Sequence, residues 1–481
     1  MFRNTNLYFL ANIYSVLVAF LLLPIYTKFL SPEEFGILAI YVLFGNVLSN
    51  LFAFGLSSAT SRYYFKFNDN VDEFKKYNST NFFFFNTFLL FGFIIVFLFG
   101  DFIAQKIFDG KVTKNLLFIS YLSGYITRLF SYFGKILHAQ KKALFYCIIE
   151  IIKTSTIAII SSILLIKFSF SYDARIIAEI IGLSLPVILM LVYLFKYFVR
   201  TISISRLKIS LKYSLPSIPS QILNYINQSF DKTMINKLNS LGELGFYELS
   251  SKIGMVSRMV NDSVGYAWVP YFYDNMKTNN HENINNRFIT MFCFFTFMNI
   301  GVILFCKEMV VILINPQFYP IINIIPFIVA SIYIQNSLST LYIVQIQYSE
   351  KTLYILPITV VSVIINIGFN IILIPKYGAM GAALALLITS IISSFIGLLV
   401  GRMLLRINIE YTKLLLLISI FASIFLYMIY FNNLEFSIIE FILKIILLIL
   451  YLFISIKLKF ISFNDLNLIF QKLKIKNVFA K

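Results

Sequence analysis

Ser217, Gln221, Asn224, Gln228 and Asp231 recur at steps of four, three, four and three along an otherwise apolar stretch. On a helix that spacing makes one continuous polar face. Such a face cannot rest comfortably against hydrocarbon, so it meets either a partner helix through hydrogen bonds or a wet cavity holding a polar ligand. Asn12 and Ser15 stand 209 positions before Gln221 and Asn224 and carry a weaker version of the same face. Ionisable side chains inside other apolar stretches sharpen the choice. Arg128 lies between Ile126 and Leu129, Glu150, Lys153 and Glu179 fall in neighbouring stretches, and Lys252, Arg258 and Asp262 follow the polar face. A charge at mid-bilayer costs a few kcal/mol and marks either a pathway, a structural ion pair or a chain that snorkels to the interface.

Cations that outnumber acids suit an anionic ligand, and a guanidinium offers a forked donor matched to phosphate oxygens. The candidate substrate contacts are therefore Arg128, Lys232, Lys252 and Arg258 for a lipid-borne diphosphate, with Asn12, Gln221, Asn224 and Gln228 for water or sugar hydroxyls. Asp231, Asp262 and Glu150 are the candidates for coupling to Na+ or H+, and Asp231 has the alternative role of neutralising Lys232. Catalysis finds no comparable set. The three cysteines, Cys147, Cys293 and Cys306, and the two histidines, His138 and His281, have no metal, disulfide or catalytic spacing. A Gly-rich nucleotide loop is missing from the sequence, so no resident cofactor or direct ATP drive is expected.

The elements that must position these groups follow from composition. A chain of 481 residues with 59% hydrophobic and 13% charged residues cannot hide its apolar surface in soluble globules of this size. Apolar runs of about 20 residues, the length a bilayer core demands, recur throughout. They predict an all-α polytopic membrane protein of about fourteen transmembrane helices. The spans fall near 8–27, 36–60, 82–104, 116–137, 144–167 and 177–199, then 214–236, 246–272, 288–306, 321–347, 352–374, 380–400, 411–430 and 437–457. The first is too long, and too poor in small residues before Pro24, to be a signal peptide.

A net charge of +18 comes from lysines and arginines in alternate gaps: Arg62 to Lys76, Lys135 to Lys142, Lys196 to Lys212, Lys277 and Arg287, Lys351, and Arg402 to Lys413. That is an orientation signal, not a nucleic-acid patch, and it predicts that both termini are cytoplasmic, while the heavy Ile, Phe, Lys and Asn usage fits an AT-rich bacterial genome. Comparing residue n with n+209 shows an internal repeat, in which Lys28, Ser31, Glu34, Gly36 and Val47 answer Lys237, Ser240, Glu243, Gly245 and Val256. The expected division is a six-helix lobe at 1–199, a basic connector at 200–213, a second six-helix lobe at 214–400, an added helix pair at 401–457 and a basic tail at 458–481. The two pseudo-symmetric lobes are expected to hold substrate in a central cavity and rock for alternating access.

PIYTKFLSPEEFGILAIY at 24–41, DKTMINKLNSLGELGFYELSSKI at 231–253 and LIPKYGAMGAALALLITS at 373–390 carry a resemblance over essentially the whole chain. The sequence resembles the polysaccharide-repeat-unit flippases of the multidrug/oligosaccharidyl-lipid/polysaccharide exporter superfamily. That resemblance implies transport of undecaprenyl-diphosphate-linked oligosaccharide, as for O-antigen or capsule, with membrane lipids around it and a polysaccharide polymerase and chain-length machinery as partners. It also implies that cationic cavity residues bind the diphosphate. The added helix pair is similar to that of the lipid II flippase branch, which keeps lipid II open as cargo. A cation-coupled drug exporter should line its cavity with acids and aromatics instead. A membrane polymerase or ligase would need a long exposed loop, and every gap here is short.

Overall fold

The computed structural model describes residues 2–67, 70–430, 437–458 and 460, with some side chains inside the helices outside the description. The tail expected at 458–481 lies almost wholly outside the described residues. Those described are helical, without strands. In the first half, α1 (Phe2–Leu21) and α2 (Leu23–Phe29) make one crossing, with Pro24 in the first turn of α2, where its missing N–H does no harm. Ser31 and Glu34 then form a capping box with Pro32 in the first turn, which starts α3 (Pro32–Phe52) sharply. The span expected at 36–60 is broken. Phe54 and Gly55 take left-handed backbone angles (φ 46° and 65°) and a separate α4 (Leu56–Lys66) follows. The half continues with α5 (Val71–Lys106), α6 (Lys114–Ala139), α7 (Ala143–Phe168) and α8 (Asp173–Leu194).

Within the expected connector lies a helix of its own, α9 (Ile204–Ser214). After it come α10 (Ile218–Leu238), α11 (Leu241–Lys277), α12 (His281–Leu313), α13 (Ile321–Tyr348), α14 (Ile355–Leu404), α15 (Tyr411–Tyr430) and α16 (Ile438–Lys457). The spans expected at 352–374 and 380–400 are the two arms of α14, which folds at Gly378 (φ 54°, ψ −131°), a conformation a Cβ would strain. Ten stretches are long and apolar enough to cross a membrane among the described residues. The long helices α6, α10 and α11 fall outside that set, and they carry every candidate for substrate contact or coupling except Asn12 on α1 and Glu150 on α7. The protein is a multi-pass membrane protein.

The described residues form two compact units, one from Met1–Leu249, Leu313–Phe318 and Ile367–Ala382, the other from Ser250–Ile312, Tyr319–Asn366 and Ala383–Lys481. In the first unit the turns knit into two faces. On one face, Ser171 donates to Glu34, the Gln317 amide reaches Leu30 O at 3.0 Å, Lys111 reaches Asn239 O at 3.1 Å, and Glu243 accepts from the Ala379 N–H at 2.8 Å. All these turns follow odd-numbered spans, as the alternate-gap threading requires. On the other face, Asn78 donates to Tyr197 O (3.1 Å) and Arg206 pairs with Glu73 (2.9 Å). Here a buried polar chain fastens α9 to the membrane helices. Tyr77 meets Ser210, Ser210 donates to Asn81, Asn81 to Thr60, Thr60 to Tyr132, and Tyr132 to Asn78. Each member has a partner, the condition under which a buried polar network stabilises. Around it, Phe74, Phe82, Phe85, Tyr132 and Phe133 pack the apolar core of this end.

In the second unit, Asn285 and Glu410 exchange two hydrogen bonds of 2.9 and 2.8 Å, and Gln345 donates to Leu405 O at 3.0 Å. These turns follow even-numbered spans. The added helix α15 lies against α13, with the rings of Tyr333 and Phe421 4.2 Å apart.

Candidate functional site

The clearest assembly in the first unit surrounds Arg128. Asn46 and Asn50 stand one turn apart on α3 and present both amide oxygens to its guanidinium, at 3.1 and 2.9 Å. The Asn50 amide in turn donates to Gln221 Oε1 on α10 at 3.3 Å. Three helices thus converge, and two sequence candidates, Arg128 and Gln221, are joined through Asn50. Arg128 Nε is buried with no hydrogen-bond partner among the described residues. Two turns further along α6, Lys135 rests on the hydroxyls of Ser57 (3.1 Å) and Ser58 (2.7 Å).

Sequence reading passed over Asn46 and Asn50, and took Lys135 only as an orientation charge at the end of a span. The i, i+4 asparagine pair inside an apolar span was the available signal, of the same kind that picked out the face of α10. What sets Arg128 and Lys135 apart is the sign of their surroundings. Amide and hydroxyl oxygens orient a cation but cancel none of its charge, and only part of the five-donor guanidinium fork is used.

Other candidates are neutralised by carboxylates. Lys232 pairs with Glu248 on α11 at 2.7 Å, and Asp231, which is buried, accepts from the Tyr247 hydroxyl and from the Lys232 N–H (2.8 Å). Asp231 and Lys232 each therefore reach across to α11 by side chain, fastening the α10–α11 hairpin. Glu150 pairs with Lys153 one turn on, and Lys153 also lies 4.6 Å from the Phe130 ring centre. Glu179 pairs with Arg175 at 3.3 Å and accepts from Ser123 at 3.0 Å. Asn12 is exposed, while its neighbours Tyr14 and Ser15 bond to Ser155 (2.6 Å) and Thr154 (2.9 Å) on α7. Lys252 and Arg258 are exposed and belong to the second unit. The side chains of Asn224, Gln228 and Asp262 lie outside the described ones.

Residues 1–276 match the family described as Polysaccharide biosynthesis protein. The chain belongs to that family. A Haemophilus influenzae protein of the Lsg locus is 25% identical over 290 residues, covering 57% of this chain and 67% of its own length. Among solved structures, the lipid II flippase MurJ in an inward closed conformation superposes with a TM-score of 0.73 at 20% identity, covering 95% of this chain and 98% of its own. An inward-facing multidrug resistance MATE family transporter of the MOP superfamily gives 0.63 at 13% identity, covering 82% and 94%. At these identities the likeness establishes the fold, and the fold is that of membrane transporters.

In this polysaccharide biosynthesis protein the second unit contains a charge cluster that sequence reading also missed. Lys307 and Glu308 near the end of α12 meet Glu440 and Lys444 in the first turns of α16. Lys307 reaches Glu440 at 2.7 Å, Lys444 reaches Glu440 at 2.9 Å and Glu308 at 2.7 Å. Lys307, Glu308 and Lys444 are 1%, 5% and 0% exposed. Two ammoniums and two carboxylates balance, so the cluster offers no net charge to a ligand and instead binds α16 to α12. Further along the same pair of helices, the Tyr451 hydroxyl donates to Cys293 O at 2.8 Å.

Proposed function

We propose that this member of the polysaccharide biosynthesis family is a flippase that carries an undecaprenyl-diphosphate-linked oligosaccharide from the inner to the outer leaflet of the bacterial plasma membrane by alternating access. The observation that carries the reading is Arg128, a cation in mid-span held by the neutral oxygens of Asn46 and Asn50 and linked through Asn50 to Gln221. A side chain so held is pre-organised and still positive, which suits a phosphate oxygen entering from the membrane. Lys135, two turns nearer the basic face, offers a second contact on the same helix. Gln221, with Asn12, Asn224 and Gln228, supplies hydrogen bonds to sugar hydroxyls. Lys232, Lys252 and Arg258 are the further diphosphate candidates, although the ion pair of Lys232 with Glu248 favours a structural role for it.

The lobes at 1–199 and 214–400 are the proposed moving parts, with the connector at 200–213 between them and the helix pair at 401–457 attached to the second. The excess of Lys and Arg in alternate gaps supports cytoplasmic termini. Asp231, Glu150 and Asp262 remain the proposed sites of coupling to Na+ or H+, and a polysaccharide polymerase with its chain-length machinery is the proposed downstream partner. Lipid II, the cargo named for the structurally similar MurJ, is the alternative substrate.

The test is deletion of the gene in its host, complemented with wild type or R128Q at matched protein levels. Surface polysaccharide and the leaflet distribution of lipid-linked oligosaccharide are then measured. Viable cells that lose polymer, trap the intermediate inside and recover only with wild type meet the expectation. Lethality with trapped lipid II reassigns the cargo, and intact glycans with altered drug tolerance overturn the reading.

A further inference from the structure

The turns on the basic-poor face of the first unit are related by a two-fold pattern that the 209-residue repeat makes visible. At the end of α2, the carbonyls of Thr27 and Leu30 accept from the Gln317 side-chain amide at 2.9 and 3.0 Å. Both are among the groups a helix end leaves without an intrahelical partner. Exactly 209 positions on, at the end of α10, the carbonyls of Asn236 and Asn239 accept from the Lys111 ammonium. Gln317 sits in the turn between the ninth and tenth spans, and Lys111 in the turn between the third and fourth. Each half of the repeat therefore caps the first helix of the other half, with the turn that follows its own third helix.

Between the two caps the backbones touch in the same reciprocal way. A Cβ on Gly36 would lie 2.0 Å from Leu241 O, and one on Gly245 would lie 1.9 Å from Pro32 O. Pro32 answers Leu241 and Gly36 answers Gly245 at the same offset. This is the arrangement of an isologous interface, where i meets j and j meets i, built inside one chain. The repeated Gly36 and Gly245 thus have a physical cause, the approach of two helix starts too close for any side chain.

We infer that this contact is a two-fold latch between the halves of the repeat, with Lys111 and Gln317 as its paired fasteners, and that it parts during each transport cycle. Its parting rests on the alternating-access reading, whereas its coupled, two-fold character does not. The bonds suit a contact that opens. Each fastener is a single long side chain on backbone carbonyls at a turn, so release exposes groups that water can satisfy and strands no buried charge. Because the glycine contact joins the two caps, loosening one cap lowers the stability of the other.

Two measurements on the full-length protein in lipid nanodiscs and cells test the inference. In hydrogen exchange followed by mass spectrometry, K111M is expected to speed exchange several-fold at 236–245 and also at 27–36. Q317L should do the same in both segments, and K111R should restore protection. Faster exchange confined to the segment each residue touches would overturn the coupled latch. In cells, K28C with Q317C, both at exposed positions and beside the Thr27 carbonyl cap, in a protein whose native cysteines are buried, is treated with a short bismaleimide. Crosslinking should abolish flipping of lipid-linked oligosaccharide, with a monofunctional maleimide as the harmless control. Failure to crosslink would refute the geometry, and undiminished flipping after complete crosslinking would refute the opening. If the unmodified protein flips no such lipid, the proposed function fails while the exchange result still decides the latch.

Discussion

Removing Lys444 should destabilise the protein far more than removing Lys444 and Glu308 together. The cluster is a chain of four charges in which Glu440 has two ammonium partners, Lys307 at 2.7 Å and Lys444 at 2.9 Å, while Glu308 has Lys444 at 2.7 Å. K444M leaves Glu440 with Lys307 but leaves Glu308, 5% exposed, without its cation. Breaking a buried pair from one side typically costs about 3–5 kcal/mol, because the surviving charge stays desolvated. E308Q leaves the opposite excess, two lysines on one carboxylate, at a smaller cost of about 1–3 kcal/mol. E308Q/K444M leaves one balanced pair, Lys307 with Glu440, and replacing a buried pair by neutral groups is often close to neutral. The double variant should therefore recover about 2–4 kcal/mol relative to K444M alone. Equilibrium unfolding in a mixed detergent, with exchange over α16 as the local probe, gives all four corners of the cycle. A double variant as unstable as the sum of the singles would refute the reasoning, since the two residues would then act independently.

Three further outcomes follow from other sites. R128K should keep the charge but lose the fork to Asn46 and Asn50, and R128Q should lose both, so flipping measured at equal protein levels should fall in the order wild type, R128K, R128Q. G36A and G245A each push a methyl group into a facing backbone carbonyl, and each should lower stability by ~1–3 kcal/mol in the same unfolding assay, whereas G301A, within α12 and with no neighbour in reach, should not. The hydrogen bond from Lys76, and then Arg206, hold the Glu73 carboxyl below its ordinary range. Because the folded value is lowered, that link to α9 is fully present above the ordinary carboxylate range and fades as pH falls below it. Limited proteolysis at 199–203 should accelerate on acidification, and E73Q should show the acid pattern at neutral pH.

The helices were legible because spans in lipid are long and their ends are marked by charge, Pro or Gly, and the repeated turn was legible because Ser31 and Ser240 cap in the same way. Ser31 accepts from the Glu34 N–H at 3.2 Å and Ser240 from the Glu243 N–H at 3.1 Å. The break at Phe54 and Gly55 falls where the apolar run gives way to Ser57, Ser58, Thr60 and Ser61, a change too slight to separate one span's polar end from a second helix. Among candidate residues, Arg128 and Gln221 stood out as polar groups in apolar surroundings, yet their link runs through Asn50, 78 and 171 positions away. Periodicity reports the face a residue occupies and says nothing of what faces it. The same limit hid Lys307 with Glu440, whose charges sit near span ends and look like interfacial side chains until α16 is placed on α12.

The reciprocal caps also bear on how the chain is made. Leu30 leaves the ribosome 287 positions ahead of Gln317, the side chain that satisfies its carbonyl. At roughly 5–20 residues per second, the first crossing waits about 15–60 s for its cap. During that interval the end of α2 depends on water or an insertion factor, and synthesis arrested before Gln317 would leave an inserted but unfinished first half. The order of translation thus makes the turn after the ninth span the step at which the earliest helix becomes native.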